Sequence, residues 1–466
     1  MTLDAMRLEV PEIHEHEPLD LHNLLEQLAD LPRQASSETL ETLLGRLFQL
    51  NRWELTLLER QRILQSFTEH YRLQAQAFAE QHPCPLFIRL CLELAAGFKR
   101  LLLQILQGRQ PSRPHLAWCL YMAEYFVAQS LLRHYQLYQE PPGSLWHDCH
   151  LLYWLGERQH CLDEPVAAAF QPAAAGNLRG LYQQSLLLAL SNPFQLKNGQ
   201  CLQLFAALAP LAELARLQPW EADDDSEGLL IDLGAEQPQL LGEPDTAAEP
   251  ATLRRLELGA LLVALDEPTP LQSASQRQLL EQARPHWQGQ QARRHPRSEQ
   301  SSPCNLFCGI AAIHAQLLEQ RPLHLAAQLL DASAGGARLL CHADHAAQLP
   351  IGQLLLLQHN NSQTLALLRW RHQSGSGLHL GLRYLKGLPR PVWLRRAPSA
   401  KTHPGILQST PANGGWHHGL WLAQGDFASE ENLWLQLQGN HHQAIVQLPP
   451  ANLDSGQVAR HPLKLA

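Results

Sequence analysis

From about residue 20 to 218, apolar side chains recur every three or four positions and β-branched residues are scarce, the pattern of amphipathic helices. "ETLLGRLFQLNRWELTLLERQRILQSFTEHY" (41–71) reads as one long amphipathic helix. "CPLFIRLCLELAAGFKRLLLQIL" (84–106), "HLAWCLYMAEYFVAQSLLRHYQLY" (115–138), "SLWHDCHLLYWLGERQ" (144–159), "GNLRGLYQQSLLLALS" (176–191) and "GQCLQLFAALAPLAELARL" (199–217) follow, with Pro and Gly between them. Successive helices joined by short turns predict an antiparallel, solenoid-like helical array over 1–218, although no self-similarity names a repeat class. Trp53, Tyr121, Tyr125, Trp146 and Trp154 fall at helical spacing and are expected in the core, since a neighbouring helix suffices to explain such a stripe.

Past Trp220 the periodicity stops at "EADDDSEG", which opens an acidic linker and connector of mixed structure over 219–290. "LLIDL" (229–233) reads as a strand there, while "LRRLELGALLVAL" (253–265) and "SASQRQLLEQARPHW" (273–287) read as a helical connector. From 291 the pattern becomes that of strands. "PIGQLLLLQHN" is a short apolar strand, and "QTLALLRWRHQ" and "LHLGLRYL" are two strands joined by "SGSG", with Leu378, Leu380 and Leu382 alternating. "GLWLAQ", "ENLWLQLQ" and "QAIVQLP" give further short strands near the end. The predicted fold class is multidomain α+β: an all-α helical region, an antiparallel β-barrel over 291–399 and a small β-domain over 400–466.

A chain of 466 residues with 45% apolar content can bury two or three separate cores. No apolar run reaches the roughly 18 residues that would suggest a spanning helix, and the start "MTLDAMRLEVPEIHEHEP" lacks the basic flank and apolar stretch of a signal peptide, so the expectation is a cytoplasmic protein. Nine cysteines at irregular spacing indicate neither a disulfide framework nor a zinc ribbon and are read as buried thiols, with no metal site expected. The net charge of −8 is uneven. Residues 291–400 hold twelve Lys/Arg against four Asp/Glu, a local +8 that leaves −16 elsewhere. A basic module in an acidic chain points to a discrete anionic ligand and away from general nucleic-acid binding.

Within that module, "QARRHPRSEQ" carries Arg293, Arg294 and Arg297, and "QLLDASAGGARLL" carries Asp331, Ser333, Gly335, Gly336 and Arg338. An arginine fork can grip a phosphate or the O6/N7 edge of guanine, and its flat face can stack on a purine. Asp331 can accept from guanine N1–H and N2–H₂, a pair that adenine lacks; Ser333 can contact a ligand or cap the turn. Gly335 and Gly336 admit positive φ and close backbone approach. "Asp-x-Ser-x-Gly-Gly" between apolar runs is equally a β-turn. Ser333 lies in no Gly-x-Ser-x-Gly elbow, and there is no phosphate-binding Gly-x-x-x-x-Gly-Lys-Ser/Thr loop or His-Glu-x-x-His helix, so no catalytic residue and no cofactor are expected.

The Arg-x-x-x-Arg pair Arg293/Arg297, followed by Asp331-x-Ser333-x-x-Gly336 and then by strands ending in one that contains Gly381, resembles the PilZ family of cyclic di-GMP receptors, over roughly 291–396. The resemblance implies a barrel that holds cyclic di-GMP through Arg293, Arg294, Arg297, Asp331, Ser333, Gly335, Gly336 and Arg338. It further implies a helical region that meets an unidentified protein partner, and an output on motility, adhesion or biofilm behaviour. The alternative is a degenerate PilZ scaffold that acts through protein contacts alone. Between Arg297 and Asp331 lie 33 residues, more than the family's usual spacing, and Pro296 restricts His295 to extended conformations.

Overall fold

The computed structural model describes residues 8–14, 19–31, 36–78, 84–108, 112–166, 173–221, 228–239, 250–267, 273–289, 295–412, 415–437 and 443–463. The chain divides into two compact units, Met1–Pro193 with Gly199–Gln291, and Phe194–Asn198 with Ala292–Ala466.

The first unit is built on helices α1 (Leu21–Ala29), α2 (Ser37–Leu50), α3 (Leu57–Phe78), α4 (Pro85–Gln107), α5 (Arg113–Gln136), α6 (Gly143–Arg158), α7 (Leu178–Leu190) and α8 (Gln200–Leu208). Their starts carry local signals: Ser36 and Asn177 accept from main-chain N–H groups of the first turns of α2 and α7, and α4 and α5 have Pro in their first turn. The stretch 41–71, expected as one helix, is two. Asn51 caps α2 and turns its amide to the main-chain carbonyl and carboxylate of Glu93. Thr56 and Glu59 then close a capping box that restarts the chain as α3, the Thr56 N–H donating to Glu59 Oε2 at 2.8 Å and the Glu59 N–H to Thr56 Oγ1 at 3.3 Å.

The solenoid expectation is corrected by α5. A solenoid helix touches only its neighbours in the array, whereas α5 packs against α4, α6, α7 and α8. Its sequence shows why: it is apolar around nearly its whole circumference, and almost every residue from Leu116 to Gln136 is buried, Tyr121 and Tyr125 among them. The unit is therefore a helical bundle around a central helix. Trp146 and Trp154 are buried as expected, and Trp53 is partly so.

The stretch 219–290 contributes to this same unit. β1 (Arg216–Pro219), β2 (Leu229–Asp232) and β3 (Leu253–Glu257) form an antiparallel sheet with β3 central. "LRRLE", expected as helix, is thus a strand, because both its edges are paired and Arg254 is held by the Glu157 carboxylate. Gly259 opens α9 (Gly259–Asp266), and α10 (Ala274–Trp287) starts on a Ser273/Gln276 capping box. Trp287 is buried and its indole N–H donates to the Leu187 carbonyl at 3.0 Å.

In the second unit, β4 (Ser298–Cys308), α11 (Gly309–Leu317), β5 (Leu325–Ser333), β6 (Gly336–Cys341), β7 (Leu354–His359), β8 (Ser362–Ser374) and β9 (Gly377–Tyr384) make a closed six-stranded antiparallel barrel in the order β4-β5-β6-β9-β8-β7. The alternation of Leu378, Leu380 and Leu382 is realised, all three being buried. β10 (Leu388–Arg395) leaves the barrel and joins β11 (His403–Ala412), β12 (Gly415–Ala423), β13 (Asn432–Leu437), β14 (Gln443–Gln447), β15 (Leu453–Asp454) and β16 (Val458–Leu463) in a seven-stranded sheet, so the second sheet begins before residue 400. One apolar cluster ties the two together: Ile310 and Ile313 of α11 pack with Leu354, Leu356, Leu365 and Leu367 of the barrel and with Ile406, Trp421 and Val458 of the sheet.

Candidate functional site

β4 and β5 run antiparallel as direct neighbours, with Ser298 opposite Ala332 and Glu299 opposite Asp331. The residue just before β4 therefore returns to the last turn of β5, whatever lies between them. The 33-residue gap holds β4, α11 and most of β5; α11 sits at the far end of the pair and separates nothing at this end. Arg297 Nη1 donates to Asp331 Oδ1 at 2.6 Å, and Arg338, opposite Asp331 on β6, forms an ion pair with it, Nε standing 2.9 Å from Oδ2. Asp331 is buried (7% exposed), while the side chains of Arg297 and Arg338 are 28% and 44% exposed. A near-buried carboxylate is tolerated here because each oxygen has its own cation, and both cations reach solvent.

Ser333 and Gly336 pair across the β5–β6 turn. The Ser333 hydroxyl donates to the Gly336 carbonyl and accepts from the Gly335 N–H, both at 3.3 Å, so of its two anticipated uses the structure displays the turn-capping one. Neither glycine adopts the positive φ anticipated for it. Close approach is the reason for Gly336: a Cβ there would stand 2.0 Å from the main-chain oxygen of Leu382. A Cβ on Gly335 would stand 3.1 Å from Cδ2 of His295, which places the arm across the hairpin. Arg293 and Arg294 lie outside the described residues.

Register adds residues that the sequence pattern does not single out. Gly336 is opposite Arg383, and Arg338 is opposite Gly381, which is in turn opposite Trp370. The Trp370 indole covers Gly381 where a side chain would otherwise stand. The β8–β9 pairing slips between Leu368 and Trp370, leaving Arg369 exposed on the bulge, where desolvation and the neighbouring charge of Arg383 lower its pKa. Among the described residues neither Arg369 nor Arg383 has an ion-pair partner. Strict alternation along "LLRWRH" would class Arg369 with Arg371, but Arg371 turns to the Ala346 and Leu349 carbonyls at 2.7 and 2.9 Å and serves the fold. Tyr384, whose main-chain N–H donates to the Gly335 carbonyl, has its hydroxyl pKa raised chiefly by burial.

This face offers the Asp331 carboxylate, with the exposed Glu299 opposite it on β4, four arginines and a flat indole around a hairpin that admits backbone-level approach. Such a set can bind a ligand that joins phosphates to flat bases. Ser333 is engaged by main-chain groups of its own turn, and the cysteines of the second unit, Cys304, Cys308 and Cys341, have thiol pKa values raised by burial, Cys341 to about 12. Among the described residues no three His, Cys, Asp or Glu side chains converge as metal ligands, and no helix is long and apolar enough to cross a membrane.

No curated protein matches the chain. Residues 22–223, which span α1 to β1 and end ahead of the barrel, match the family model for the N-terminal domain of the cyclic-di-GMP receptor FimW, so this part of the chain is similar to that domain.

Proposed function

We propose that the chain is a cyclic di-GMP receptor, with a PilZ-like barrel as its ligand-binding module. The observation that carries this reading is Asp331 held between Arg297 and Arg338 beside the Ser333–Gly336 turn, the two halves of the motif meeting in space. The similarity of residues 22–223 to the N-terminal domain of the cyclic-di-GMP receptor FimW supports it. Asp331 would take the guanine N–H pair, Arg297 with Arg293 and Arg294 would cover the ligand, and Arg338, Arg369 and Arg383 would meet its two phosphodiester charges. Gly335 and Gly336 would let the ligand reach the hairpin backbone. The role is one of binding rather than catalysis, and the helical unit would present the signal to a protein partner.

A specific observation also favours a scaffold reading. Both Asp331 oxygens are satisfied by the chain's own arginines, so guanine can use this carboxylate only by displacing or sharing them. Calorimetric titration of the purified chain with cyclic di-GMP and, separately, cyclic di-AMP separates the two. The receptor reading expects saturable heat with the guanine dinucleotide only, and a loss of about tenfold or more in affinity for Arg297→Ala or Asp331→Ala, the worth of a hydrogen bond to a charged group. No heat with wild type would leave the scaffold.

A further inference from the structure

The seven-stranded sheet has β14 at one edge and β16 beside the other, yet both line one cavity of about 850 Å³. The sheet therefore curls until its two ends face each other across an unclosed seam, within the size range of small-molecule pockets. One side is apolar: Ile445 and Val446 of β14 and Leu463 of β16 line it, Val446 packing with the core cluster that holds Leu463 and Ile445 lying 61% exposed.

The other side is basic. Arg460 lies flat against the backbone at Gly419, where a Cβ would stand within 2.5 Å of its guanidinium carbon. Its Nε donates to Gln408 Oε1 at 3.3 Å and its Nη1 to Asn452 Oδ1 at 3.2 Å, both neutral acceptors. Among the described residues it has no carboxylate partner, and burial lowers its pKa. A part-buried cation fixed in place with only neutral acceptors is a standing electrostatic debt that an anion would relieve. His417 and His418 line the same cavity; His418 is oriented by its Nδ1 contact with Ser409 Oγ at 3.0 Å.

We propose that this seam binds a small amphipathic anion, its apolar body on Ile445, Val446 and Leu463 and its carboxylate, sulfonate or phosphate head against Arg460. The site is separate from the Asp331 face and does not depend on cyclic di-GMP being the ligand there. An uncharged apolar ligand would leave Arg460 unanswered, and a plain inorganic anion would leave the apolar wall wet.

The test is fluorescence titration of the full chain with anilinonaphthalene sulfonate, an aromatic body carrying one anionic head. Wild type is expected to bind one equivalent saturably, and Arg460→Gln to bind about tenfold or more weakly through loss of a charge-assisted contact. Ile445→Glu, a change at an exposed position that should leave folding intact, is expected to repel the probe to a similar extent. Octanoate should displace the probe and octanol should not. Co-sedimentation with phosphatidylglycerol vesicles, lost in both variants, would identify a lipid as the source of the same chemistry; its absence with octanoate competition retained would identify a free amphiphile. No saturable probe binding, wild-type affinity in both variants, or equal displacement by octanol would overturn the proposal.

Discussion

At the scale of single residues, the hairpin that carries Asp331 shows how differently two adjacent glycines are used. Gly336 faces the main-chain oxygen of Leu382 and cannot make room, because its neighbour is backbone within a paired strand. Gly335 faces the ring of His295, an exposed side chain that can move. Gly336→Ala is therefore expected to destabilise the second unit by about 1–3 kcal/mol, the usual cost of overpacking, and Gly335→Ala by clearly less. Chemical denaturation followed by Trp fluorescence measures both, and equal costs would contradict the steric account. The same residues show what was legible. Asp331, Ser333 and Gly336 are near neighbours in sequence and could be recognised together, whereas Arg369 and Arg383 join them only through a bulge and a cross-strand register that no local pattern displays.

At the scale of elements, α5 and α6 bury groups that govern how the helical bundle responds to pH. Glu124 is fully buried on α5, and among the described residues neither of its oxygens has a conventional hydrogen-bond partner. Burial, aided by the nearby Asp148 charge, raises its pKa to about 8. Folding thus favours the protonated acid. The stability this gives is present in full below the ordinary carboxylate range and is lost as pH climbs to about 8, each pH step of one in that interval removing roughly 1.4 kcal/mol. His150 works from the other side. Burial lowers it to about 4, and Nδ1 meets the Tyr182 hydroxyl at 2.6 Å while Nε2 meets the Gln237 carbonyl at 2.8 Å. Its contribution is present above the ordinary histidine range and disappears as pH falls from there toward 4. Between about pH 4.5 and 6.5 the two slopes oppose each other, so thermal midpoints recorded between pH 4 and pH 9 should hold level there and fall from about pH 6.5 to 8, a fall that Glu124→Gln should remove while unmasking the acid decline of His150.

Lys99 and Asp148, buried and 2.6 Å apart, join α4 to α6. Lys99→Met would strand the carboxylate, at an expected cost of about 3–5 kcal/mol in urea unfolding. The helices themselves were largely readable, since α4 to α7 fall within a few residues of their periodic stretches. The stretch 199–217, expected as one helix, is α8, a 3-10 turn and the start of β1, and two other misreadings have identifiable reasons. The apolar rhythm runs across Asn51–Thr56 unbroken, so the end of α2 is visible only in the Thr-x-x-Glu cap of α3. In β3, adjacent arginines are buried against the rest of the unit, which erases the alternation that marks a strand.

At the scale of the whole molecule, the barrel and the seven-stranded sheet share the cluster around α11 and cannot be expected to melt separately. Ile313→Ala, which removes a fully buried side chain from that shared core, should cost about 2–5 kcal/mol and lower one common transition. Two resolved transitions within the second unit, followed through Trp370 for the barrel and Trp421 for the sheet, would show that the cluster does not couple them. The sequence indicated both β regions, and a short helix in the gap between the two motifs, but nothing in it shows which strands that helix packs against.

That gap has a practical meaning. Since β4 and β5 return on each other, chain added or removed near α11 alters the length between Arg297 and Asp331 without moving either residue, while a single residue inserted between Arg297 and the paired part of β4 would point the arginine to the opposite side of the sheet. Fixed-spacing patterns are therefore a poor ruler for barrels of this kind: the number of intervening residues can vary freely at one end of the hairpin and not at all at the other.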